Sequence, residues 1–153
     1  MPSRRDQIKM SAAEVEEFLA GRRTMNVATI GPSGHPHVVA MWYGFLGGQP
    51  AFWTFGRSQK VLNLRRNPKL SALVEDGDTY SQLRGVELVG TGRIVEDRDA
   101  IIELGLSVAL RYQDTDAATA APFVAAQAAK RLGVVIDVER IVSWDHTKLG
   151  GTY

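Results

Sequence analysis

The sequence predicts an α+β fold, an antiparallel β-barrel with helices packed on its outside, formed as one domain over residues 1–153. Three observations point there. Short β-prone runs recur at turn-signal spacing, and the chain holds 15 glycines in 153 residues, clustered between apolar runs where tight turns need them. Helical periodicity with capping signals appears at three or four places between those runs. Strands and helices do not alternate as βαβ units, and no G-x-G-x-x-G or G-x-x-x-x-G-K-[ST] string occurs, which excludes the doubly wound and P-loop classes.

Taken in order, Ser11-Ala12-Ala13-Glu14 has capping-box spacing, with the serine hydroxyl placed to accept from the Glu14 amide. Val15, Phe18 and Leu19 recur at helical spacing and Gly21 offers a left-handed stop, so a helix is expected over 12–20. Met25 to Ile30 reads as a strand, Gly31-Pro32-Ser33-Gly34 as a turn, and His37 to Phe45 as the second arm of a hairpin. Gly47-Gly48-Gln49-Pro50 turns the chain into an aromatic strand, Ala51 to Phe55. Ser58 is the expected N-cap of a helix carrying Val61, Leu62 and Leu64, which must stop by Asn67 because Pro68 disfavours helical dihedrals in the residue before it.

Leu70, Ala72 and Val74 then alternate with Ser71, Leu73 and Glu75 as a strand, turned by Asp76-Gly77-Asp78. Val86 to Val95 is a longer strand in which Gly90 and Gly92 mark bends or bulges. Asp97 or Asp99 caps a helix through Ile101 to Leu110, and an alanine-rich helix is expected from Pro122, as a first-turn proline, to Leu132, with Gly133 ending it. Val134 to Val138 and Arg140 to Trp144 read as two strands, and Asp145 to Tyr153 as a polar tail with a Gly-Gly hinge.

Composition narrows the function classes. Lys and Arg total 18 against 17 Asp and Glu, a net charge of +1, so any anion site must be local and nucleic acid is not an expected partner. No run approaches 18 uninterrupted apolar residues, so no membrane span is expected. The absence of cysteine removes thiolate nucleophiles and Cys-ligated metals, and Arg4, Arg5 and Lys9 are not followed by the apolar run of a signal peptide; a cytoplasmic location is expected.

Three groups of side chains could carry chemistry. His35 and His37 sit two apart on an extended segment but lack a third ligand nearby, and no metal site is expected. His146 follows Asp145, yet no nucleophile elbow accompanies the pair. The stretch Arg57-Ser58-Gln59-Lys60 lies where a strand meets a helix, so a guanidinium fork, a hydroxyl, an ammonium and free helical amides can meet as a phosphate cradle; a solvated turn is the alternative. Trp42, Tyr43, Phe45, Phe52, Trp53 and Phe55 lie on the strands leading to it, and Trp42 and Tyr43 are the candidates for neighbours of a planar cofactor ring.

The strings Thr29-Ile30-Gly31-Pro32-Ser33-Gly34-His35-Pro36-His37, Met41-Trp42-Tyr43, Ser58 through Pro68, Leu73 through Gly77, Tyr80 through Val86 and Ser143 through Leu149 together resemble the pyridoxamine 5'-phosphate oxidase-like split β-barrel superfamily, and within it the actinobacterial deazaflavin-dependent oxidoreductases of the B subgroup. The resemblance covers nearly the whole chain. It implies a six-stranded antiparallel split β-barrel, a homodimer with two cofactor clefts at the subunit interface, and hydride transfer from reduced coenzyme F-420 to an unsaturated or conjugated small molecule, with FMN the alternative cofactor and a non-catalytic deazaflavin carrier the alternative role. It implies that Arg57, Ser58, Gln59 and Lys60 hold the cofactor phosphate, that the ring lies along Ala40, Met41, Trp42 and Tyr43, and that Tyr80 comes from the partner.

Overall fold

The computed structural model of the chain describes residues 1–151; Thr152 and Tyr153, the end of the expected polar tail, lie outside the described residues. Seven strands form one antiparallel sheet: β1 (Met25–Ile30), β2 (Pro36–Met41), β3 (Gly44–Leu46), β4 (Gln49–Phe55), β5 (Lys69–Asp76), β6 (Arg84–Val95) and β7 (Arg131–Asp145). Their order is β2-β1-β5-β6-β7-β4-β3, so β2 and β3 are opposite edges of the sheet. Only Trp42 and Tyr43 join them, a link that reaches at most about 11 Å. The two edges are therefore forced together, and the sheet curls into a barrel. The run His37 to Phe45, expected as one strand, is thus interrupted at the point where the barrel splits; counted as one broken strand, it leaves the six of the expected barrel.

The interruption is held by a helix rather than by a neighbouring strand. Along α4 (Arg98–Tyr112), the Tyr112 hydroxyl accepts from the Tyr43 amide at 3.4 Å and the Ser107 hydroxyl from the Phe45 amide at 3.0 Å. Past β3, Gly47 and Gly48 have φ of 59° and 78°, the doubly left-handed pair that a two-residue hairpin demands. The barrel interior is filled by Met25, Val27, Phe52, Ala72, Val74, Val86, Leu88, Val134 and Ile136. Phe18 and Leu19 of α2 (Ala12–Ala20) pack into the same core.

Several boundaries differ from the expected ones for identifiable reasons. A short helix, α1 (Arg4–Ile8), precedes α2 because Ser3 and Asp6 make the same reciprocal capping box as Ser11 and Glu14. Gly21 ends α2 in an extended conformation, φ −67°, not a left-handed one. The last carbonyls of α2 are taken instead by Arg111, which donates to Leu19, Ala20 and Gly21. α3 (Gln59–Arg66) has the expected Ser58 cap and stops before Asn67. α5 (Ala117–Ala128) starts at its Asp116 cap, leaving Pro122 inside the helix, and ends before Arg131 because that residue already pairs with Phe55. β7 runs as one strand through the expected break, since Val89 pairs with Arg140 and Gly90 with Val138, leaving Glu139 as a bulge. No helix among the described residues is long and apolar enough to cross a membrane.

Candidate functional site

A cleft of about 430 Å³ opens at the split. Ala40 and Met41 enter it from the end of β2 and Trp42 from the interruption; Trp53, Thr54 and Phe55 come from β4, Lys60 from the first turn of α3, Val108 from α4 and Arg131 from the start of β7. Trp42 is stacked on Tyr112 with ring centroids 4.8 Å apart and planes 1° from parallel, and is still 47% exposed. One face of its indole is therefore pinned by α4 while the ring borders the cleft.

Two cations border this space and the lining holds no carboxylate. The Lys60 side chain is only 9% exposed and forms no ion pair among the described residues. Burial lowers its pKa below the usual lysine value, the expected response of an ammonium that has lost water without gaining a counter-ion. The Arg131 guanidinium lies 4.8 Å over the Trp53 ring and 4.6 Å from the Phe55 ring centre, and is likewise unpaired among the described residues. Its place follows from strand register, because Arg131 sits opposite Phe55 in the β4–β7 ladder.

Of the candidate residues, Ala40, Met41, Trp42 and Lys60 meet in this cleft. Tyr43 does not reach it: the side chain is fully buried and donates its hydroxyl to the Leu19 carbonyl at 2.6 Å. Burial pushes its pKa up to about 12, partly offset by the Arg111 guanidinium nearby. Arg57 lines a neighbouring cavity of about 620 Å³ with Arg65, Glu96 and Lys130, and Phe55 and Arg131 stand between the two spaces, bordering both. The Ser58 hydroxyl caps α3, accepting from the Val61 amide at 3.5 Å and from the Thr54 hydroxyl at 3.3 Å. Gln59 donates to the Asn63 side chain at 2.8 Å. Tyr80 lies in the short 3₁₀ turn Tyr80–Gln82, edge-on to His146 at 4.7 Å, and borders no part of its own chain's cleft. The cradle expected over four consecutive residues is thus divided, with Lys60 in the cleft and Arg57 beyond Phe55.

Arg131, not Arg57, is the guanidinium that borders this cleft. It, Thr54 and Val108 carry no local signal; they arrive through the β4–β7 register and the docking of α4. Trp53 and Phe55 stand in the aromatic group, but spacing alone does not separate them from core residues. A second cavity of about 430 Å³ lies between α4 and α5 and shares Trp42, Trp53, Val108 and Arg131 with the cleft.

Comparison with known proteins adds the following. The family described as pyridoxamine 5'-phosphate oxidase matches residues 11–145. No curated protein matches the chain. Among solved structures, that of the conserved hypothetical protein Rv2991 from Mycobacterium tuberculosis is 45% identical with a TM-score of 0.92, covering 99% of this chain and 95% of that one. A structure named F420 Reductase is 26% identical with a TM-score of 0.64, covering 82% of this chain and 94% of that one. A heme binding protein from Mycobacterium smegmatis, 19% identical with a TM-score of 0.64 over 92% of this chain and 60% of that one, shares the fold.

Proposed function

The chain belongs to the pyridoxamine 5'-phosphate oxidase family, and on that premise we propose that it is an oxidoreductase whose cleft holds reduced coenzyme F-420 and delivers a hydride to an unsaturated or conjugated small molecule. The observation that carries the reading is Lys60: a largely buried lysine with no ion pair among the described residues, at an aromatic-walled cleft with no carboxylate in its lining. The likeness to a structure named F420 Reductase supports a deazaflavin as the group bound.

The lining fits such a group. Lys60 supplies the charge for the phosphate, and its position in the first turn of α3 adds the helix's unpaired amides and dipole. Ser58 and Gln59 act one step back, since the serine cap and the Gln59–Asn63 bond fix the start of α3 and so aim Lys60. Arg57 reaches the phosphate side only around Phe55. Ala40, Met41 and Trp42 border the ring, with Tyr112 holding the indole in place. Tyr80 of the partner subunit is the proposed contribution across a homodimer interface. When bound, the reduced deazaflavin supplies a two-electron hydride donor; the protein's part is to place the acceptor, exclude water and counter the charge the acceptor gains.

The test is a fluorescence titration of the purified protein with oxidised coenzyme F-420 and, separately, FMN. Tight deazaflavin binding with weak FMN binding is the expected result. The reverse moves the protein to FMN-dependent chemistry, and binding of neither overturns the reading. Oxidation of the bound reduced cofactor on adding acceptors then separates a reductase from a carrier.

A further inference from the structure

The cavity between α4 and α5 is a built compartment. A Cβ at Gly105 of α4 would lie 2.5 Å from the Trp53 ring and 2.7 Å from Val124 of α5. Glycine at this position lets the Trp53 ring and Val124 of α5 pack directly on the α4 backbone, so no larger side chain fits in this wall. Trp42, Trp53 and Phe123 supply aromatic surface, and Phe123 is 69% exposed on an otherwise alanine-rich helix. Gln113, Thr115, Thr119 and Gln127 supply neutral polar groups, and Arg131 is the single charge in the lining. The nearby Asp116 carboxylate is engaged as the cap of α5, accepting from the Thr119 amide at 2.8 Å.

Arg131 makes this compartment selective. Its guanidinium carbon lies within 5 Å of both the Trp53 and Phe55 ring centres, and with no hydrogen bond or ion pair to another described residue its N–H donors are left for a ligand. A planar fork of donors matches a carboxylate, not a cation or a bare hydrocarbon. We infer that the α4–α5 cavity binds planar, conjugated carboxylates, with Arg131 as their counter-ion and Trp42, Trp53 and Phe123 as their aromatic contacts. That this ligand is the hydride acceptor rests on the proposed function; the binding itself does not. The shared wall of Trp42, Trp53, Val108 and Arg131 puts the bound molecule next to the cofactor cleft without occupying the Lys60 end.

Isothermal titration calorimetry without cofactor tests this, using 2-naphthoate, the neutral 2-naphthamide and the cationic 2-naphthylmethylamine. The naphthoate should bind at one site per chain at least about tenfold more tightly than the amide, as a charge-assisted pair requires, and the amine should bind most weakly. Arg131→Gln should bring the naphthoate down to the affinity of the amide. Phe123→Ala, on an exposed helix face, should weaken both ligands several-fold, and Lys60→Ala should leave the naphthoate unaffected. Equal binding of naphthoate and naphthamide, or no naphthoate binding, overturns the site. So does loss in Lys60→Ala with retention in Arg131→Gln, which would locate the anion at the phosphate end. Lost naphthoate binding beside intact coenzyme F-420 binding removes this site alone; the opposite pattern removes the reductase reading and leaves the site standing.

Discussion

Burial of Lys60 carries an electrostatic cost, because its ammonium is partly desolvated and no carboxylate lines the cleft. An incoming phosphate relieves that cost and gains a charge-assisted hydrogen bond, so Lys60→Ala should weaken coenzyme F-420 binding by about 1.5–3 kcal/mol, roughly ten- to hundredfold, in the same fluorescence titration. Unchanged affinity would transfer the phosphate to Arg131 or Arg57. Lys60 was legible in the sequence because its signal is local: a serine cap two residues earlier and a helix behind it. Arg131 was not, since what brings it to the cleft is its register against Phe55, 76 positions earlier in the chain. Tyr43 lies away from the cleft for a related reason. An aromatic beside Trp42 reads as a second ring wall until the chain's interruption turns it inward onto the Leu19 carbonyl. That burial has a measurable consequence. The folded-state pKa is about 12 against an ordinary 10, so the folded protein keeps a proton that the unfolded chain releases. The contribution is intact below about pH 10 and lost as pH rises through about 12, amounting to about 2 kcal/mol. Urea unfolding across this range should show wild type losing that much more stability than Tyr43→Phe; parallel curves would assign the titration to other groups.

Elements are tied together here by side chains that replace missing backbone partners. Arg111 of α4 donates to the Leu19, Ala20 and Gly21 carbonyls at the end of α2 and to the Tyr43 carbonyl at the split, and it lies 4.7 Å from the centre of the Tyr43 ring. A cation at a helix C-terminus satisfies orphan carbonyls and the dipole together. Arg111→Met should therefore cost about 1–3 kcal/mol in urea unfolding, more than its partly exposed position suggests, because four carbonyls, three of them in part-buried bonds, lose a donor at once while only Leu19 keeps another, the Tyr43 hydroxyl. A cost under about 0.5 kcal/mol would mean that water serves those carbonyls equally well. The same dependence explains which elements could be read from sequence. α2, β1, α3, β5 and β6 announce themselves by caps, alternation and prolines within their own few residues. The break between β2 and β3 depends on Tyr112 and Ser107, far along the chain, and the start of α5 was hidden because alanines carry no period and Pro122 imitates a first-turn proline.

The whole molecule is proposed to be a homodimer. The elements that border the cleft also expose large apolar side chains: Val38 on β2, Trp42 at the split, Phe55 on β4 and Leu62 on α3. Apolar surface gathered around a ligand cleft marks a place where another protein surface belongs, and Tyr80, expected to complete the cleft, borders no part of its own chain's cleft. The proposed homodimer would satisfy both. The chain of 16.8 kDa should then scatter light as a particle of twice that mass, holding together on dilution through the micromolar range. Val38→Asp places a charge on the outer face of an edge strand without touching the cleft lining, so it should shift the protein toward monomer and weaken coenzyme F-420 binding in parallel. Tyr80→Ala should weaken binding while leaving the dimer intact. A monomeric Val38→Asp that binds the cofactor as tightly as wild type would show that each chain completes its own site, and the cleft would then have to be closed by the α4–α5 side alone.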